Sequence, residues 1–280
     1  MVRPGLARGA ALIIAWLFLF IVCVYLFFPI RRINTVIDRT LSTQGLSLTP
    51  AAHKTILPGL AWDAALLSSR QGPLFRFDHV SARPLLLQLL TGRAVLGSEA
   101  SLGAGRLNLE QRITGRQTVQ LAADGLPLGE MPFFKTVLGA ARVGGSLWSE
   151  GRVTRGPQGW SGELKLEISR LEFSGIRMGA FSLPDADKLN SKGMIRITNG
   201  KARLESLNLQ GDGVFMRLSG EFPLGVSAEA APLDLVLEIM PKPDFLEKQK
   251  LVFLLLVKFM ASPGVYRVPI KGTLLKPEIL

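Results

Sequence analysis

From Val214 to Phe222 the chain "VFMRLSGEF" sets an apolar residue at every second position: Val214, Met216, Leu218 and, past Gly220, Phe222. Phe215, Arg217, Ser219 and Glu221 take the other positions. Period two belongs to the extended chain, whose successive side chains leave opposite faces; a helix would scatter the same residues around its axis. This is a strand with one greasy side. The alternation recurs in 100–109, 117–126, 162–173, 193–209 and 232–240. In the third of these, Leu164, Leu166 and Ile168 oppose Glu163, Lys165 and Glu167, and then Leu171 and Phe173 resume in the other phase. A one-residue slip inside a long alternating run marks a β-bulge. A second slip falls between Leu204 and Leu207.

The links between these runs are short. Asn199-Gly200 is a two-residue hairpin signal, and "RGPQGW" (155–160) and "QGDGV" (210–214) are glycine turns. Short links pair strands antiparallel, because parallel neighbours need long crossovers. The expected fold is mainly β: a long twisted antiparallel sheet of about ten strands with short helices. Helix-compatible pieces lie at 83–92, 131–145, 183–193 and 244–264, the last capped by Asp244 and ended by Ser262, Pro263 and Gly264. Within it Leu251–Val257 is apolar all round but too short to span a membrane, so it is expected to dock on the sheet. "GSLWSEGRV" (145–153) and "GMIRITNGKA" (193–202) form a weak internal repeat.

Gly9–Ile30 is uncharged throughout and, as a helix, reaches about 33 Å, enough to cross a bilayer's hydrocarbon. It ends in Tyr25, Phe27, Phe28 and Pro29 rather than small residues, which reads as a retained anchor rather than a cleaved signal. The expected organisation is a cytoplasmic N-terminus (1–8), a transmembrane anchor (9–30), an amphipathic juxtamembrane helix (31–45) striped by Ile33, Ile37 and Leu41, and a β-rich body (46–280) outside the cytoplasm. Arg3 and Arg8 on one flank nearly balance Arg31 and Arg32 on the other. Cys23, the single cysteine, lies in the anchor, so no intramolecular disulfide forms.

The net charge of +11 is spread singly along the chain, without the dense basic patch and interleaved aromatics of a nucleic-acid surface. It suits an anionic membrane instead. Catalytic signatures are missing: "GAGRLN" and "GDGVFM" lack the third glycine of a dinucleotide fingerprint, and there is no phosphate-binding loop or nucleophile elbow. His53 and His79 read as isolated turn or surface residues rather than metal ligands. The expectation is therefore a non-enzyme without metal or cofactor. The residues that remain to carry function are apolar: Leu164, Leu166, Ile168, Val214, Met216, Leu218 and Phe222, a candidate hydrophobic groove facing either another protein layer or lipid.

"ILPGLAWDAALLSS" (56–69), "FDHVSARPLLLQLLTGRAVLGSEASLGAGRLNL" (77–109) and the closing "YRVPIKGTLLKPEIL" (266–280), set behind an N-terminal anchor, resemble the type II secretion system protein N (GspN) family. The one-faced strands and "GTLLKP" also resemble AsmA/TamB-like proteins. The first resemblance implies a single-pass protein of the bacterial inner membrane, its body periplasmic, acting as a non-enzymatic scaffold with other type II secretion components as partners. The second implies an AsmA/TamB-like groove that binds or transfers membrane lipid.

Overall fold

A computed structural model describes residues 30–279 except 56, 57, 90, 140, 180, 225 and 228, together with Trp16 and Leu19. The expected anchor thus lies outside the described residues apart from Trp16, Leu19 and Ile30, as does the stretch 1–8. Among the described residues no helix is long and apolar enough to cross a membrane.

The first described helix, α1 (Ile30–Thr43), carries the expected stripe, and Ile30, Ile33 and Ile37 pack on Ala52, Leu60, Trp62 and Ala65. It ends at Gly45, whose φ of +74° suits a residue without Cβ. The strands follow: β1 (Leu46–Thr49), β2 (His53–Lys54), β3 (Leu60–Ser69) and β4 (Gly72–Pro84), then the helical turn α2 (Leu86–Leu89). Next come β5 (Val95–Leu102), β6 (Gly105–Arg112) and β7 (Thr118–Pro127), a connection holding α3 (Phe133–Val137), then β8 (Arg142–Gly156) and β9 (Gly159–Ser174). A small hairpin, β10 (Arg177–Met178) and β11 (Phe181–Ser182), precedes β12 (Ala186–Thr198), β13 (Lys201–Gln210), β14 (Val214–Pro223) and β15 (Asp234–Pro241). The chain closes with α4 (Pro243–Lys248), α5 (Lys250–Leu256), β16 (Met260–Ser262), β17 (Val265–Gly272) and β18 (Pro277–Ile279).

The protein is mainly β, and one 16-stranded antiparallel sheet holds all but the β10–β11 hairpin. Its order follows the chain from β3 to β9 and from β12 to β15, a meander, as short links require. It has more strands than the ten or so read from the alternation, because strands such as β1, β2 and β18 are too brief to show a period.

The bulges sit where the phase slips. Ser169 and Arg170 are both exposed, Arg170 has φ +54°, and the register jumps beside them. Between β13 and β14 the register shifts from Leu204↔Gly220 to Leu207↔Leu218. Asn199 and Gly200 have φ of +53° and +78°, the pair of left-handed residues a tight hairpin turn needs.

Two helix expectations are corrected. Residues 183–193 are not helical: β12 starts at Ala186. Lys188, with φ +51°, is an extra residue in that strand, so buried Ala186, Leu189 and Ser191 fall three and then two apart and imitate a helical stripe. The last helix is broken in two at Gln249, Lys242 rather than Asp244 occupies its cap position, and Pro263-Gly264 turn the β16–β17 hairpin instead of stopping the helix.

Gly220 gives this architecture a sharp test. At its φ of +145° a Cβ would stand 2.1 Å from the Asp234 carbonyl oxygen and 2.6 Å from the Leu235 Cα. Gly220→Ala is expected to cost about 2–4 kcal/mol, measured as a lowered denaturant midpoint with unchanged slope.

Candidate functional site: the two halves of the apolar face

Register places the side chains of the sheet in rows. On one face Leu121, Gly151, Leu164, Ile195, Leu204, Gly220, Leu235 and Ile270 are successive cross-strand partners. One residue along, on the other face, the row is Gln120, Arg152, Glu163, Arg196, Arg203 and Glu221. Arg196 bonds Glu205 at 2.8 Å and lies 3.4 Å from Glu163, and Lys192 meets Glu167. Such exposed pairs contribute at most about 1 kcal/mol each. Their effect is to keep one face wet and in register.

The apolar face is low in relief. Leu164 lies across Gly151, Leu207 across Gly193 and Leu235 across Gly220: the leucine methyls stand 2.6–2.8 Å from where a glycine Cβ would be. Each leucine is seated on the backbone of the next strand instead of standing up from the sheet.

The sheet also wraps. Glu229, in the link between β14 and β15, lies against Gly45 and 3.8 Å from Arg70 in the β3–β4 turn. Seven strands separate β4 from β14 in the sheet, a flat distance of about 38 Å, while the six residues from Pro223 to Glu229 reach about 20 Å. Only a curled sheet joins them. One cluster of side chains, drawn from β5 through β18, fills the enclosed side.

Three insertions roof one end of that side: the β7–β8 connection with α3, the β10–β11 hairpin, and α4–α5. They are fastened to one another and to the sheet. The Arg177 N–H donates to the Leu138 carbonyl at 3.4 Å. Gln249 Nε2 donates to the Asp185 carbonyl at 2.6 Å while its Oε1 accepts the Asp185 N–H at 2.7 Å. Phe181 meets Phe259 edge-on at 5.6 Å, and Phe133 stacks on Phe75 at 6.0 Å. Beneath this roof Leu189, Ile239 and Val268 are fully buried, as is Leu256 on the inner side of α5. Beyond it Leu109, Leu121, Val153, Leu164, Leu166, Ile195 and Ile197 are only half-buried.

The seven residues singled out in the sequence share this face but divide between its halves. Val214 and Met216, 3% and 2% exposed, belong to the roofed core and line no open surface. Ile168 and Leu218 pack against that core at its border, half-buried. Leu164, Leu166 and Phe222 lie on the unroofed half.

At the seam of the roof, between α3 and α4, opens a crevice of about 990 Å³ with Met131, Phe134, Val143, Phe173 and Phe245 in its wall. Glu172, Asp185, Asp187, Asp212 and Asp244 rim it with Lys135, Arg142 and Lys248. None of the seven lines it. The crevice is formed by insertions that meet only in three dimensions, and the alternation of the strands carries no signal of it.

The histidines are not isolated. His79 Nδ1 lies 2.8 Å from one Asp63 oxygen and His53 Nε2 3.7 Å from the other, brought together by pairing of β2, β3 and β4. All three are exposed, and among the described residues no histidine, cysteine or carboxylate group has the disposition to hold a metal ion. The chain matches no protein-family model, no curated protein and no solved structure.

The two halves should respond differently to truncation. Leu189→Ala, under the roof, is expected to cost about 3–4 kcal/mol, whereas Leu164→Ala, on the unroofed half, should cost about 1 kcal/mol in the same denaturation assay. Gln249→Ala removes both bonds to Asp185 and should raise amide exchange in 175–185 and 243–259 while leaving β5–β7 unchanged.

Proposed function

We propose that this protein holds acyl chains of membrane lipid against the unroofed half of its apolar face, as a membrane-anchored protein whose body lies in the periplasm. The observation that carries the reading is the half-burial of Leu164, Leu166 and Ile195 in the same sheet whose roofed residues are fully buried. An apolar surface of this extent, left partly uncovered, wants an apolar occupant. The dimensions agree. Leu109, Leu121, Gly151, Leu164 and Ile195, all half-buried, span four inter-strand steps, about 19 Å, against about 15 Å for the hydrocarbon of one leaflet. Leu164 laid flat over Gly151 keeps the middle of this strip low, and van der Waals contact along it needs no polar partner. No side chain is assigned a catalytic role.

A photo-crosslinking residue at Leu164 or Leu166 is expected to capture phospholipid in cells, and the same residue at Met216, under the roof, to capture none. Capture of protein alone at both unroofed positions would sink the lipid reading.

The resemblance of 56–109 and 266–280 to type II secretion protein N sequences favours a second reading, a scaffold subunit of that machinery. Under it, deletion impairs export of folded periplasmic substrates; undisturbed secretion in the deletion strain counts against it.

A further inference from the structure

We propose that the outward side of α5 docks on an anionic phospholipid surface. The helix is apolar around its whole circumference from Leu251 to Leu256. Phe253 and Leu256, 2% and 0% exposed, lock one side of it into the core. The other side presents Leu251, Leu254 and Leu255 at 79%, 58% and 56% exposure, and Val257 and Met260 extend the patch. A helix that is hydrophobic all round belongs in apolar surroundings on every side. Because Phe253 and Leu256 prevent it from rolling, the three leucines have no route into this fold's own core.

The chemistry around the patch selects the partner. Lys242, Lys248, Lys250 and Lys258 are all exposed between positions 242 and 260, against Asp244 and Glu247. Lys258 Nζ rests 4.4 Å from the Phe181 ring centre and 4.6 Å from that of Phe259, which holds its charge at the margin of the patch. Aliphatic side chains rimmed by ammonium groups match the boundary between anionic headgroups and acyl chains. The arginine, tryptophan and tyrosine anchors that dominate protein–protein contacts have no exposed representative in this segment. The inference is independent of what the unroofed half of the sheet holds, since Leu251, Leu254 and Leu255 face away from the core.

The test uses the full chain with Cys23→Ala and Leu255→Cys, labelled at the new thiol with nitrobenzoxadiazole. It is reconstituted in phosphatidylcholine vesicles containing about 30% phosphatidylglycerol, with an excess of protein-free vesicles of the same composition so that either membrane is within reach. A quencher attached at shallow depth in the lipid is expected to reduce the emission about threefold. A label at Ala104→Cys, in an exposed turn, should be unaffected. Lys248→Gln with Lys250→Gln, or raised salt, should remove most of the quenching. Absence of quenching at 255 overturns the proposal, as does equal quenching in phosphatidylcholine alone. A blue shift in detergent that grows with protein concentration would assign the patch to a second copy of this chain and overturn it as well. Ala104, Lys248, Lys250 and Leu255 are all exposed, and an unchanged melting curve verifies that the variants fold.

Discussion

A 16-stranded sheet with apolar residues at alternate positions carries a greasy surface far larger than any short helix can cover, and removing that surface from water governs the rest of the architecture. The sheet answers first by curling, until Glu229 in the β14–β15 link reaches Gly45 and Arg70 near the opposite margin. Curling brings β5 and β17 side chains into one cluster. The insertions then close one end, each tied to the next by a hydrogen bond or a ring contact. Among the described residues α1 covers the opposite margin of the face at Leu60 and Trp62, and the strip between, with Leu109, Leu121, Leu164 and Ile195, stays half-buried.

Glycine decides how that strip is surfaced. A side chain at Gly151 would strike Leu164 of the neighbouring strand, so that leucine lies flat; Leu207 over Gly193 and Leu235 over Gly220 lie flat in the same way but pack against the roofed core. In the strip the result is a bed rather than a filled interior. At the roofed end the corresponding ladder is built from Leu209, Met216, Ile239 and Tyr266, all buried, which fill the space that the roof encloses. The same strands thus make a packed core at one end and an accessible face at the other. This is the physical basis of the lipid-holding proposal, and the α5 patch beside the roof offers such a protein a second contact with a lipid surface.

Much of this was legible in the residues themselves. Leu164, Leu166 and Ile168 against Leu171 announced a bulge, and Arg170 supplies it. Asn199-Gly200 announced a hairpin, and both residues take the left-handed conformation. The misreadings have the same origin as the successes. At Lys188 a bulge changed the spacing of buried residues from two to three, so a strand looked helical. His53 and His79 looked solitary because their common partner, Asp63, reaches them by cross-strand pairing, which no linear spacing records. Val214 and Met216 looked like groove residues because their alternation is the same as that of Leu218 and Phe222; only the roof distinguishes them.

By itself the sequence determined that the chain is a meander of antiparallel strands with one apolar and one charged face, because period two, short turns and phase slips are local properties of the backbone. Which part of the apolar face is sealed and which is left accessible was decided by the tertiary structure alone. That choice depends on where α3, the β10–β11 hairpin and α4–α5 land after the sheet has curled, and on contacts such as Asp185 with Gln249 between residues 64 apart in the chain. An alternating strand specifies which side chains must leave water, and only the curled sheet specifies what they meet when they do.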